Sequence, residues 1–377
     1  MAKQPLKKKE IKSFNLKDFK SKITSAPVAD KPMEWIIMPK AFQDALHIPG
    51  IPCGYMSGVR GWQESGKSTI KNCLIAAAQK QGILPVIFET ENNFDFKYAI
   101  DCGMQAEPVY GTDEETGEEK IVNYEGDFIL FNNQTICEYC GDMDYSTGNK
   151  KSSKRTVAVI EDIAYIMNDL LDKQDSGELP MPLLFVWDSV GSIGSWKSLQ
   201  SKVGNNMFDA GAISTAFNNI INARIPASRS VNSEYTNTFF VVNKIWTDSM
   251  NSVGGAVSIE NKGGKSFQYG LRLLIHVGGM AKSGAKRLKA VYKGHEYYYG
   301  IMSKINIAKN QLPVPFNVTY SGTICCVHNG LCSETDLDLY KKTYIPEIIS
   351  KMSVTFGEDV VSGAKESDIT FDIEDEE

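Results

Sequence analysis

Nine consecutive residues, Gly61-Trp62-Gln63-Glu64-Ser65-Gly66-Lys67-Ser68-Thr69, have the types and spacing of a phosphate loop, G-x-x-x-x-G-K-[ST]. Glycines at the first and sixth positions let backbone N–H groups converge on phosphate oxygens. The N-terminus of a following helix adds its partial positive charge. In that chemistry Lys67 reaches the β- and γ-phosphates and the Ser68 hydroxyl ligates Mg²⁺. The flanking residues supply the context such a motif needs. Tyr55 to Arg60 reads as a short strand weakened by Gly58. Ile70, Leu74, Ala77 and Ala78 then fall at helical spacing up to Gly82, and Leu84 to Thr90 reads as a second buried strand. The segment predicts a site for a nucleoside triphosphate.

Carboxylates at two strand ends extend the site. Leu183-Leu-Phe-Val-Trp-Asp188 is an uninterrupted apolar run ending in an acid, with Ser189 after it. Its lack of alternation predicts a parallel strand buried on both faces. Asp188 has the look of a Walker B carboxylate, which holds the Mg²⁺ shell, usually through water. Glu91 lies just past the strand 84–90, in the crevice where α/β sheets bind ligands. There it can orient or activate a water for γ-phosphate hydrolysis. Glu89, two residues earlier and on the same face of the strand, competes for that role, and spacing alone leaves both open. Cys137-x-x-Cys140 could supply two zinc ligands, but no second C-x-x-C or H-x₃-H stands nearby. Cys325 and Cys326 should face opposite sides of a strand.

The elements that position these residues alternate between strand and helix. A helix over Val157–Leu171 and another over Ala210–Arg224 flank the strand 183–188. Further strands are expected at Thr238–Asn243, Leu271–Val277, Ile301–Ile307 and Phe316–Tyr320. Residues 104–156, rich in Gly, Asn, Asp and Glu, break this rhythm. Turn signals at Glu115-Thr-Gly117 and Ser146–Asn149 mark them as an insertion, a small β-excursion on the surface. The expected fold is an α/β core with a mostly parallel central sheet flanked by helices, spanning 35–335. A basic arm precedes it over 1–34, and a C-terminal segment with an acidic tail follows over 336–377.

Bulk properties fit that architecture. The 377 residues are 42% hydrophobic and 23% charged, ordinary values for a soluble globular chain. No apolar run approaches the roughly 18 residues of a membrane span. The N-terminus lacks the apolar stretch of a secretory signal. Eight scattered cysteines suggest reduced thiols in a cytoplasm rather than a disulfide framework. The net charge of −6 is unevenly spread. Residues 1–22 hold eight lysines, whereas residues 358–377 hold nine acidic side chains against Lys365 alone.

Taken in order, five segments resemble the RecA recombinase family: Gly61–Thr69; Phe88-Glu-Thr-Glu91-Asn-Asn-Phe-Asp95-Phe-Lys-Tyr98-Ala; Phe185-Val-Trp-Asp188-Ser189; Val242-Asn243-Lys244; and Lys309-Asn310-Gln-Leu-Pro-Val-Pro315-Phe316. The organisation is most similar to the phage strand-exchange proteins called UvsX, over about 35–330 with the insertion excepted. The resemblance implies a RecA-like ATPase core using ATP and Mg²⁺. It favours Glu91 over Glu89 as the catalytic base, makes Tyr98 the side chain stacking on adenine and sets Asp95 near the adenine edge. It also implies that Lys309 reaches the γ-phosphate of a neighbouring subunit's ATP. Lys244 stands where the family carries a phosphate-sensing glutamine or histidine, and reads either as a sensor by charge or as a solvated strand-end lysine.

Two DNA-binding loops are implied as well. The first, Ser195–Phe208, carries Lys197 and Lys202. The second, Ile245–Gly264, carries Trp246, Met250, Gly254, Gly255 and Lys262, with Lys265 just beyond. Apolar residues mixed with glycine suit insertion between unstacked bases while lysines meet phosphates. The activity implied is DNA-dependent ATP hydrolysis by a helical filament on single-stranded DNA, pairing it with homologous duplex for recombination and repair. Single-strand-binding and mediator proteins are the implied partners, and a host cytoplasm the location for a phage protein. The rival readings are a hexameric helicase, with Arg272 or Arg287 as its arginine finger, and an ATP-controlled scaffold with weak turnover.

Overall fold

The computed structural model describes residues 29–112, 117–201, 206–248, 258–261, 264–279, 284–313, 320–357 and 364–375, with Asn15, Lys17 and Val361. Ahead of the core, β1 (Trp35–Ile37) and β2 (Gly50–Pro52) pair antiparallel around helix α1 (Lys40–Leu46). The expected strand, loop, helix and strand follow as β3 (Met56–Gly61), α2 (Lys67–Lys80) and β4 (Leu84–Glu89). Helix α3 (Phe96–Asp101) leads to a hairpin of β5 (Glu107–Thr112) and β6 (Glu119–Glu125). Next come β7 (Ile129–Asn132), α4 (Asn133–Cys140) and a small hairpin of β8 (Met143–Asp144) and β9 (Asn149–Lys150). Helix α5 (Ile160–Asp175) and β10 (Leu183–Asp188) precede α6 (Trp196–Ser201), α7 (Asn206–Ala216) and a π-helical turn at Ile220–Arg224. Then follow β11 (Thr238–Asp248), β12 (Ser258–Asn261), α8 (Gly264–Gly270) and β13 (Leu273–Val277). The last elements are β14 (Lys286–Tyr292), β15 (His295–Asn310), β16 (Ser321–Val327), β17 (Gly330–Cys332), α9 (Leu337–Phe356) and β18 (Thr370–Asp375).

Six of these strands form a parallel block in the order β7-β4-β10-β11-β3-β13. Beyond β13 the sheet turns antiparallel through β15, β16 and β17, while β14 bridges β15 and β18. Alternation along the block sends side chains into two cores. Ile87, Leu184, Val186, Phe240 and Val242 pack with Ile70, Leu74 and Ile75 of α2 on one face. Val86, Phe88, Leu183, Phe185, Trp187, Phe239 and Val241 pack with Ile163, Ile166 and Met167 of α5 on the other. Burial on both faces explains why β10 reads as a continuous apolar run. Among the described residues, no helix is long and apolar enough to cross a membrane.

Several expectations need correction. The surface excursion over 104–156 is confined to the two hairpins, because β7 pairs with β4 and α4 buries Ile136, Cys137 and Cys140 in the core. The run Phe128-Ile-Leu-Phe131 needed burial, and the open edge of β4 provided a partner. The loop expected from Ile245 has paired stems, since β11 continues to Asp248 with Trp246 opposite Glu260 on β12. Trp196 opens a short helix within the stretch 195–208 and is itself buried. The strand expected at Phe316–Tyr320 falls largely outside the described residues, and β16 starts at Ser321. Part of the acidic C-terminal segment is a strand, because β18 pairs with β14 from Thr370 opposite Val291 to Asp375 opposite Lys286. Most of the basic arm lies outside the described residues.

Candidate functional site

The glycine loop sits at the carboxyl edge of the parallel block. Gly61 closes β3 between Lys244 of β11 and Val277 of β13. A Cβ on Gly61 would lie 2.3 Å from the Val277 carbonyl oxygen, so close backbone approach demands glycine there. Gly66 precedes α2 with φ +101°, and a Cβ would meet Cys326 Sγ at 2.5 Å. Both motif glycines are therefore required by shape. Trp62 anchors the loop by donating its indole N–H to Gly279 O at 3.0 Å. Gln63, Glu64 and Ser68 are exposed, whereas Ser65 and Lys67 are buried.

The loop's own Trp62 carbonyl accepts from Ser65 Oγ at 2.8 Å and from Lys67 Nζ. Lys67 thus satisfies itself internally. Burial pushes its pKa down to about 8, with Asp188 pulling upward and Lys244 pushing further down. A phosphate oxygen would offer this ammonium a better acceptor than a carbonyl.

Strand register brings the two candidate carboxylates to one row, with Asp188 directly opposite Glu89. Their environments differ from the sequence reading. Glu89 is 1% exposed and accepts the Glu91 N–H through Oε1 at 2.9 Å. Lys71, one helical turn after Lys67, places Nζ 2.7 Å from Asp188 Oδ2 and 3.5 Å from Glu89 Oε2. Burial opposes the Lys71 charge, but the Asp188 and Glu89 carboxylates outweigh it and hold the ammonium above its ordinary range. Sequence reasoning missed Lys71, although its i+4 spacing from Lys67 on the same helix face was the available signal.

Glu91 is set apart from this buried cluster. It accepts from Ser189 Oγ, and Lys244 Nζ lies 2.7 Å from its Oε1 and 2.8 Å from its Oε2. Burial raises the Glu91 carboxyl, yet the hydrogen bonds from Lys244 and Ser189 and the Lys244 charge prevail and hold it below the usual range. The carboxylate is ionised at neutral pH and aimed from a partly open position. Lys244 is thereby an ion-pair partner of Glu91, with its side chain still about half exposed (47%) to solvent.

Ser68 and Asp188 offer hard oxygen donors suited to Mg²⁺. Among the described residues no group of three or more His, Cys, Asp or Glu side chains could hold a metal. A divalent cation here would depend on oxygens brought by a phosphate chain, which is the habit of Mg²⁺. Cys137 and Cys140 belong to no such group, and burial pushes both thiols upward. Cys325 and Cys326 do face opposite ways, into different cores.

Beside the loop lies a cavity of about 490 Å³ lined by Thr69, Tyr98, Arg287, Tyr297, Tyr298 and His328, among others. Tyr98 shares a hydrogen bond with Thr69 Oγ1 at 2.7 Å and donates to Val327 O at 3.2 Å. Asp95 does not line the cavity; it caps α3 by accepting the Tyr98 N–H at 2.9 Å. The tyrosines of β15 were not anticipated, although three consecutive aromatic residues marked them in the sequence.

Lys309 is not brought to this loop. It pairs with Leu274, three residues along β13 from Val277, which is roughly 10 Å at strand spacing. Its Nζ donates to the carbonyls of Gln268, at 2.7 Å, and Tyr269 at the end of α8. Of the DNA-binding candidates, Lys197 is exposed on α6, while Ser195 and Ser198 beside it are tied to Asp209 Oδ1. Trp246 and Lys265 are described by backbone alone, in β11 and α8. Lys202, Met250, Gly254, Gly255 and Lys262 lie outside the described residues.

The sheet is mixed rather than mostly parallel, but its six-stranded parallel block, with a glycine loop entering a helix at the carboxyl edge, fits a RecA-like α/β core. Residues 37–126 match the model of the RecA N-terminal domain. Protein RecA of Herpetosiphon aurantiacus is 34% identical over 77 residues, 20% of this chain and 22% of that protein. Protein RecA of Chloroflexus aurantiacus is 35% identical over 81 residues, 22% of this chain and 23% of its own length. That of Aquifex aeolicus is 35% identical over 81 residues, 22% and 24% respectively. The chain therefore spans under a quarter of the length of the curated relatives it matches. These matches liken a stretch of the chain that includes the glycine loop to the N-terminal domain of RecA proteins.

Proposed function

We propose that the protein is a DNA-dependent ATPase of UvsX-like type that assembles as a filament on single-stranded DNA and promotes homologous strand exchange in a cytoplasm. The observation that carries this reading is the convergence at one sheet edge of the glycine loop, Lys67, Asp188 and a tethered Glu91. Backbone N–H groups of Trp62 to Thr69 and the Lys67 ammonium would bind the phosphates, and Ser68 and Asp188 would hold Mg²⁺. Glu91, ionised and steadied by Ser189 and Lys244, would orient the attacking water. Tyr98 and the cavity beside it would receive the base.

Lys309 supports assembly. It lies on β15 opposite Leu274, roughly 10 Å from the Val277 end that meets its own loop, which suits a cation offered to a neighbouring molecule's triphosphate. The paired stems of β11 and β12 would present the second DNA loop, with Lys197 contributing from α6.

Electron microscopy of the protein with single-stranded DNA and a slowly hydrolysed ATP analogue tests the assembly. Continuous helices are expected, and closed rings would overturn the reading in favour of a helicase. A D-loop assay should give joint molecules with homologous duplex and none with heterologous duplex. ATP turnover that ignores added oligonucleotide would sink the coupling to DNA.

A further inference from the structure

The buried Lys71 has no task in the function just proposed, and its surroundings point to one. Its side chain is 5% exposed, with Phe94 beneath the ammonium at 5.1 Å from the ring centroid. The ammonium spans the tips of β10 and β4, contacting Asp188 at 2.7 Å and Glu89 at 3.5 Å. Among the described residues, Lys71 is the partner of the Asp188 side chain. Glu89 in turn holds the backbone at Glu91. A carboxylate whose oxygen already faces an ammonium is a weakened ligand, because a cation approaching it must share or displace that contact.

We infer that Lys71 is a positioning residue that acts as an internal counter-cation for Asp188 and sets how tightly this site holds a divalent metal. The assignment rests on the triphosphate-site reading only for the source of the remaining metal ligands. Because Lys71 neutralises Asp188 before any metal arrives, the protein should take up a divalent ion weakly by itself and well only alongside a phosphate chain. Removing the ammonium would free Asp188 and tighten the metal.

The double variant Lys71→Gln/Glu89→Gln deletes one positive and one negative charge, so the net charge around Asp188 is unchanged while its ammonium partner is lost, and the amide oxygen introduced at position 89 can still accept the Glu91 N–H. Free Mn²⁺ is followed by electron paramagnetic resonance during titration of the full chain, with and without ADP. Wild type alone should bind Mn²⁺ more weakly than about 1 mM, and micromolar binding would overturn the inference regardless of how any variant folds. The double variant should bind Mn²⁺ about tenfold more tightly in both titrations. That gain should vanish when Asp188→Asn is added. Unchanged or weaker metal affinity, or a gain that survives Asp188→Asn, would refute the role. If the double variant fails to fold, Lys71→Gln alone is used with the same expectations.

Binding of a fluorescent ATP analogue to wild type and Lys67→Ala is measured in parallel. No binding by wild type would remove the triphosphate reading while leaving the Mn²⁺ result to decide the Lys71 assignment. Binding with no change in Mn²⁺ affinity would do the reverse.

Discussion

Among the described residues, carboxylates are buried in two places, and they are treated differently. On the α5 side of the sheet, Asp162 is 0% exposed and fully satisfied. Its Oδ1 accepts from Arg155 Nη2 at 2.6 Å and Tyr145 OH at 2.7 Å, and its Oδ2 from Arg155 Nη1 at 2.9 Å and Val159 N–H at 2.8 Å. At the strand tips, Asp188 has Lys71 as its side-chain partner and is 9% exposed, beside the glycine loop. Burying a charge is costly unless every lone pair finds a donor. Asp162 meets that demand and clamps the β8–β9 region onto α5. Asp188 retains unused acceptor capacity at the edge where the sheet opens. Completeness of hydrogen bonding thus separates a carboxylate that holds the fold from one with acceptor capacity left over, as the metal role proposed for Asp188 requires.

Three experiments probe that contrast. The largest effect is expected at the open site, where Glu91→Gln should cut ATP turnover about a thousandfold while nucleotide affinity stays within a few-fold. Single-turnover hydrolysis and equilibrium binding measure the two quantities, and retained turnover would show that another group orients the water.

Next in size is the closed cluster. Asp162→Asn strands Arg155 without its anion and should lower stability by about 3–5 kcal/mol in urea unfolding. Asp188→Asn leaves Lys71 the Glu89 carboxylate at 3.5 Å, so it should cost less than Asp162→Asn and act mainly on metal-dependent turnover. Equal losses of stability would erase the distinction between the clusters.

The smallest effect is one of pH. Lys67 has a folded-state pKa of about 8 against an ordinary 10.5, because burial disfavours its charge. Phosphate binding needs that charge, so nucleotide affinity should fall several-fold between pH 8 and 10, with proton uptake on binding below that range's upper end. Stability should move oppositely: the cost of burying the ammonium is full below pH 8 and fades as pH approaches 10.5. Calorimetry in buffers of different ionisation enthalpy reads the uptake, and thermal melts read the stability.

Much of the parallel block was legible because its signals are local. The run Leu183–Asp188 coincides with β10, and the glycine loop stands between a strand and a helix as its motif requires. Where pairing is long-range, local signals failed. Phe128–Phe131 looked like part of a surface insertion because nothing nearby in sequence announces the edge of β4. The run of β11 past Lys244 depends on β12 across a loop, and Trp196 is buried through partners contributed by residues 145–161. Site chemistry followed the same division. Spacing named Asp188 and left Glu89 and Glu91 both open; the resemblance favoured Glu91, and tertiary packing gives Lys71 to the one and Lys244 to the other.

The hydroxyl of Tyr98 touches Thr69, at the start of α2, and the Val327 carbonyl, at the end of β16. One phenol therefore rivets the helix that begins at the glycine loop to the antiparallel wing of the sheet. Any ligand that rotates this helix must drag the wing with it or snap the rivet and part Cys73 from the wing residues of their shared core, so recognition at its two ends is geared together.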